Sequence, residues 1–240
     1  MSQVRKITGL SVLFTIALIS AMLVVVVAAV YSYNSWSAIE ASIGLVILLC
    51  VAGFLWFYRR HANQRGLSRT TSQAIGLGIG LGFLWIIEIG INNLVAPPLP
   101  ARDIVDNVFW GVIAFAILIL ALWRAYQVNS LVQGIGAGLW SGFASGVLAC
   151  SMALGMIVFG MGFITHDPLN IQEWATRGSS SVAPTMAAYF AYETLTGAFG
   201  HLVVLGIAMG GVLGTVGSIM GKGMRTAVHL AANLQQKKPA

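Results

Sequence analysis

Acidic side chains are scarce in this chain, with seven aspartates and glutamates among 240 residues beside thirteen lysines and arginines. Charged residues make up 8% of the whole, where a soluble domain carries roughly 25%. Too little charge remains to solvate a surface, which excludes an ordinary soluble domain and, with it, a basic face for nucleic acid. Runs of alternating apolar and polar residues are also lacking, so a membrane barrel is not expected and helices must satisfy the backbone in lipid. Cysteine appears twice. Cys50 and Cys150 each fall near the middle of an apolar run, which suits two buried thiols better than a disulfide or a metal pair. There is no phosphate-binding glycine loop with its lysine and no H-E-x-x-H, and GIGLGIG has no strand before it. No cofactor and no metal are therefore expected.

What the chain has instead is length of oil. Apolar residues account for 58%, and a membrane-crossing helix needs about 20 of them in succession. Six spans result, near residues 7 to 31, 38 to 58, 72 to 95, 105 to 126, 131 to 164 and 185 to 221. The fold class is all-α, a polytopic membrane protein. The first span follows Arg5 and Lys6, but its apolar run is about twice that of a signal peptide, and a retained helix is expected.

Basic residues alternate by loop. Arg5, Lys6, Arg59, Arg60, Arg65, Arg69, Arg124, Lys222, Arg225, Lys237 and Lys238 fall on one side, and only Arg102 and Arg177 on the other. Eleven against two is a positive-inside pattern that places both termini in the cytoplasm and folds the chain as three in-out-in hairpins of the cytoplasmic (inner) membrane. The acids are distributed in the opposite sense. Glu40, Asp103, Asp106, Asp167 and Glu173 lie at or near the outer surface, and Glu88 and Glu193 lie inside spans nearer that end. Carboxylates contribute little to insertion topology; an outer region of negative potential would concentrate cations.

One transmembrane domain is expected over residues 1 to 221, followed by a basic amphipathic tail over 222 to 240. The tail spaces Met224, Val228, Ala231 and Leu234 along one face, as a helix lying on anionic lipid does. QAIGLGIGLGF from Gln73 and QGIGAGLWSGF from Gln133 share six of eleven residues at an offset of sixty, a parallel repeat unless glycine-rich composition alone accounts for it. Spans one and four are aliphatic and suit the periphery. Spans five and six carry small residues at every fourth position: Gly134, Gly138, Gly142 and Gly146, then Gly206, Gly210, Gly214 and Ser218. That spacing lines one helix face and lets backbones approach, so spans three, five and six are expected at the packed centre. The same faces suit a homo-oligomer or a membrane protein partner. At roughly 50 Å if fully helical, spans five and six exceed the bilayer and must tilt, break or project. The loop between them, HDPLNIQEWATRGSSSVAP, holds Leu169, Ile171 and Trp174, placed to lie at the interface or cap a cavity.

Ionisable residues within spans are the candidates for chemistry, because each costs about 2.5 to 3.5 kcal/mol at the bilayer centre. Glu88 and Glu193 sit at matched depth, roughly 10 to 12 Å below the outer boundary. Asn92 shares the face of Glu88, and Tyr189, Thr196 and Gly197 share that of Glu193. Asp106 and Asn107 would complete a polar funnel. If the two glutamates meet, a shared proton or bound cation follows; if they do not, each pins helices through a neighbouring amide or hydroxyl. His201 lies about 12 Å deeper than Glu193, where it extends a proton path or bonds between helices. His166, Asp167 and Glu173 have no diagnostic metal spacing and read as a solvated loop. Ser145 with His201 is superficially similar to an intramembrane serine protease, but GFASG is a continuous glycine face rather than a G-x-S-G loop. Catalysis is not expected. The sequence points to a transporter or channel-like protein for a cation, a proton-coupled solute or a cationic amphiphile. The alternative is a non-catalytic membrane subunit that binds a partner through its glycine faces.

Overall fold

A computed structural model describes residues 2–236, and among these the protein is all-helical. Six helical stretches are long and apolar enough to cross a membrane. They are built from α1 (Ser2–Tyr31), α2 (Ser35–Arg65), α3 (Arg69–Gly90) with a π-helical turn (Ile91–Val95), α4 (Leu99–Val128), α5 (Leu131–Phe159) and a last stretch in three parts. Those parts are α8 (Met186–Gly200), a π-helical segment (His201–Met209) and α9 (Gly210–Gln236). Between α5 and α8 lie two short helices, α6 (Met161–His166) and α7 (Pro168–Thr176).

Local signals set the boundaries. Asn34 opens α2 with a reciprocal cap, its side chain accepting from the Ser37 N–H at 2.8 Å while the Ser37 hydroxyl accepts from the Asn34 N–H. Ser68, Ser130 and Thr185 cap α3, α5 and α8 in the simpler way. Gly66 stops α2 at φ +78°, and Asn129 stops α4 in the left-handed region at φ +53°, a conformation asparagine tolerates well. Ala96 also takes positive φ, at +48°. With Pro97 and Pro98 behind it, it turns the chain from α3 into α4 in three residues.

α5 is the most deeply buried helix, packed against α1, α3, α4, α8, the longer π segment and α9. Small residues make this possible. A Cβ at Gly138 would stand 2.6 Å from the Gly210 carbonyl oxygen, and one at Gly146 would stand 3.0 Å from the Gly206 Cα. On its other side α5 meets α3, where a Cβ at Gly78 would stand 2.7 Å from the Ala144 Cβ and 2.9 Å from the Ser141 Cα. α9 in turn sets Gly217 against the Leu118 carbonyl of α4. Backbones this close gain dispersion along their whole length without any hydrophobic drive from water. α2 packs chiefly on α1 at the edge, and α4 exposes Ile104, Val112, Phe115 and Ile119 outward.

Four expectations change. The fifth span does not run on to residue 164: α5 ends at Phe159, and Gly160 (φ −110°, ψ 5°) bends the chain into α6. Cys150 is buried, but Cys50 is exposed on the outer face of α2, because this helix buries only the side it turns to α1. The segment between α5 and α8, expected as a loop, is largely helical. Further along, α9 passes through residue 222 without a break, so the tail up to Gln236 is its continuation, while Lys237 and Lys238 lie outside the described residues.

Candidate functional site

The order of the helices gives the bundle two ends. At one are the start of α1, the α2–α3 and α4–α5 turns and the finish of α9; at the other are the α1–α2 and α3–α4 turns, α6, α7 and the start of α8. The candidate site is near the second end, between the last turns of α3 and the second turn of α4.

Glu88 is 6% exposed. Asn92, one helical turn on, donates from Nδ2 to Glu88 Oε1 at 2.7 Å and to Asp106 Oδ1 at 2.5 Å. A carboxylate offers only acceptors, so the amide of Asn92 must turn its NH₂ toward both acids, and each of its two hydrogens serves one of them. Its Oδ1 is then left buried without a partner, as is Glu88 Oε2. The π turn begins three residues after Glu88 and contains Asn92; it widens the helix where the side chain must reach across to α4, a placement common to π turns at polar sites. The ion pairs of the described residues include neither Glu88 nor Asp106. Two carboxyl groups therefore converge on one amide with no basic side chain to balance them.

Beneath them is an aromatic floor. Trp85 is fully buried, with Trp110 edge-on at 5.2 Å and His201 edge-on at 5.3 Å between ring centres. Its indole N–H has no partner. His201 joins the site only through this ring, and its Nδ1 is 2.8 Å from the Gly197 carbonyl oxygen of its own helix. Neither Asn93 nor Asn107 takes part, since each donates back to a carbonyl four residues earlier, of Ile89 and Asp103.

Glu193 belongs to a separate network. Its Oε1 is 2.9 Å from the Tyr189 hydroxyl, which also lies 3.2 Å from Glu173 Oε1, and Arg177 bonds Glu173 at 2.7 Å and approaches Glu193 at 4.0 Å. The Glu193 side chain is 46% exposed. First the Tyr189 hydroxyl and then Glu173 hold the Arg177 guanidinium above its ordinary pKa. No hydrogen bond or ion pair of the described residues links Glu88 with Glu193. Matched depth did not bring them together: α3 packs on α5 and α4, whereas α8 packs on α5 and α6 and turns Glu193 toward α7.

The segment between α5 and α8 is tied down by an ion pair that sequence reasoning missed. Arg102 at the start of α4 donates to Asp167 Oδ2 at 2.8 Å, and Asp167, 3% exposed, also caps α7 by accepting from the Leu169 N–H. Its signal was available, because Arg102 and Arg177 are the two basic residues on the acid-rich side and each has an acid partner. Trp174 packs against Tyr189, its ring centre 5.8 Å away, and joins the apolar cluster of Trp85 and Ile89. Asp167 is engaged as cap and ion partner, and His166 Nδ1 is 2.6 Å from the Gly162 carbonyl oxygen. A cleft of about 530 Å³ at this end is lined by Asn93, Phe159, Phe163, His166 and Asp167, and Glu88 is not part of its wall. Thr196 donates to Glu40, joining α8 to α2.

Ser141 and Ser145 of α5 are spent locally. Ser145 donates to the Gly142 carbonyl at 2.9 Å and Ser141 to that of Ala137 at 2.9 Å, so neither hydroxyl is bonded to His201.

The cluster of Glu88, Asn92 and Asp106 can hold a proton between two acids, or a cation on the free oxygens of Glu88 and Asn92. In comparison with known proteins, no family model, curated protein or solved structure matches the chain.

Proposed function

We propose that this protein is a transporter or channel-like protein of the inner (cytoplasmic) membrane, with both termini in the cytoplasm, and that it takes a cation or a proton-coupled solute from the acid-rich outer side. Its binding group is the Glu88 carboxyl, with Asn92 as the bridge and Asp106 as the second acid. The observation that carries this reading is a buried carboxyl joined through one amide to another, with acceptor atoms to spare and no basic partner. A purely structural contact would be cheaper with a single acid, since each unpaired charge in a span is costly. Cations, including the ammonium group of a cationic amphiphile, fit this chemistry and anions do not. Glu193 and His201 move to the margin: Glu193 faces the outer loop beside an arginine, and His201 supports Trp85. The protein is proposed to be non-catalytic.

The second reading, a subunit that binds a membrane partner or another copy of itself, loses its strongest candidate faces. Gly138, Gly142 and Gly146 are closed against Gly206, Gly210 and Gly214 within one chain. It keeps Gly76 and Gly80, one turn apart on α3, where an added Cβ would meet nothing within 4 Å.

The test is flux. Purified protein reconstituted alone in liposomes is expected to pass protons or a monovalent cation down an imposed gradient. Glu88→Gln and Asp106→Asn are expected to reduce the rate at least tenfold, while Glu193→Gln keeps most of it. Folded protein that passes nothing under any gradient counts for the subunit reading.

A further inference from the structure

At the opposite end of the bundle the chain holds a second unbalanced charge, of the other sign. Arg124, in the last turns of α4, is 7% exposed. Its Nη1 donates to Gln127 Oε1 at 3.0 Å, while its Nε and Nη2 are buried with no hydrogen-bond partner. The charge that acts on it most is another guanidinium, that of Arg69 at the first position of α3. All seven acids lie toward the other end, and the ion pairs of the described residues involve neither arginine. A positive-inside signal needs basic residues only near the surface, where water solvates them. It does not require one to be buried with two donors idle.

Both arginines line one cleft of about 360 Å³, together with Gln73, Leu120, Trp123 and Gln127. The chemistry is uniform: two guanidinium forks, two amides, and the positive dipole end of α3 beside them. Arginine presents its donors in a planar fork that matches phosphate oxygens in pairs, more closely than a lysine ammonium does. Leu120 and the half-exposed Trp123 give the cleft an apolar wall facing the bundle's perimeter, as suits the boundary between headgroup and acyl chain.

We propose that this cleft binds a phosphate group, carried on an anionic lipid headgroup or free in solution, with Arg124 and Arg69 as its paired ligands. The phosphate supplies the acceptors that Nε and Nη2 lack. It seats when the exposed Gln127 side chain turns away from Nη1. The site is independent of the Glu88 cluster, so either can fail without the other.

The test uses the full-length protein in detergent, titrated separately with phosphatidylglycerol, phosphatidylcholine and inorganic phosphate, with bound mass read by native mass spectrometry and stability by the thermal midpoint. Phosphatidylglycerol is expected to bind at about fivefold lower concentration than phosphatidylcholine. Arg124→Gln and Arg69→Gln are each expected to weaken that binding about tenfold, the loss of one charge-assisted fork contact. Lys222→Gln, an exposed basic residue at the same end, is expected to change nothing. Arg69 is exposed, so its variant carries the test if Arg124→Gln does not fold. If inorganic phosphate and not the lipid shows this dependence, the site stands with a soluble ligand. Binding that ignores both arginines, or that Lys222→Gln weakens as much, overturns it as general surface attraction.

Discussion

Asn92 decides how the two acids of the site coexist. By giving one N–H to Glu88 and one to Asp106 it turns a repulsive approach into a bonded one. Asn92→Leu removes both bonds at nearly constant volume and leaves two acids facing each other. With charge-assisted bonds worth about 1.5 to 3 kcal/mol each, a loss of about 3 kcal/mol is expected, read from unfolding in mixed detergent. Glu88→Gln keeps an acceptor for Asn92 and is expected to shift stability by less than about 1 kcal/mol while it removes binding. Asp167 gives a contrast without chemistry. Asp167→Ala breaks the buried pair with Arg102 and uncaps α7, with an expected cost of about 3 kcal/mol in the same measurement and little change in flux. Depth and turn spacing made Glu88 and Asn92 legible as neighbours in the sequence, because both lie on one helix whose period is known. The partner across the α3–α4 turn, Asp106, was legible as a member of the same polar funnel, but its bond to Asn92 was not. Whether Glu193 meets Glu88 was open in the sequence, and no bond of the described residues joins them, because depth fixes height along a bundle but not rotation about it.

At the scale of elements, the close approach of α5 to the last stretch rests on residues without side chains. In Gly142→Ala the new methyl meets the Gly206 carbonyl and stands 2.9 Å from the Gly210 Cα. Backbone on both sides leaves nothing to move aside, so a loss of about 1 to 3 kcal/mol is expected. Gly76→Ala, with open space beyond it, is expected to be neutral or to gain up to about 1 kcal/mol from helix propensity. Equal effects of the two substitutions on the unfolding midpoint would remove the argument from close approach. A period of four shows in sequence which face of a helix is small. What it does not show is whether that face meets its own chain or another, since either surface needs the same residues. The π segments at Ile91–Val95 and His201–Met209 were not legible at all. They add one residue per turn without changing composition, and what selects them is tertiary reach rather than propensity.

For the whole molecule, charge is separated along the bundle axis. Acids cluster where α1 finishes and basic residues where it starts, and the two arginines found among the acids are both paired there. We read this as an outer negative face and an inner positive one. Single cysteines at Glu173 and Lys222, in a chain lacking Cys50 and Cys150, should react with an impermeant thiol reagent from opposite sides of sealed vesicles. Labelling of both from the same side would break the six-span orientation. The helical class and the number of spans were legible because hydropathy and backbone satisfaction leave lipid few solutions. The centre was legible too, since the small-residue faces pointed to the third, fifth and sixth spans and these are the most buried of the six; which helix meets which across the bundle was not, because short turns fix only which neighbours run antiparallel.

Whether Glu88 takes the charge can be measured directly by infrared difference spectroscopy on the reconstituted protein as pH or monovalent cation concentration is stepped. The expected result is a carboxyl band that changes with the step in wild type, is absent in Glu88→Gln, shifts in Asn92→Leu and persists in Glu193→Gln. A band that survives Glu88→Gln unaltered, or a wild-type spectrum unresponsive to protons and every cation tried, would contradict it.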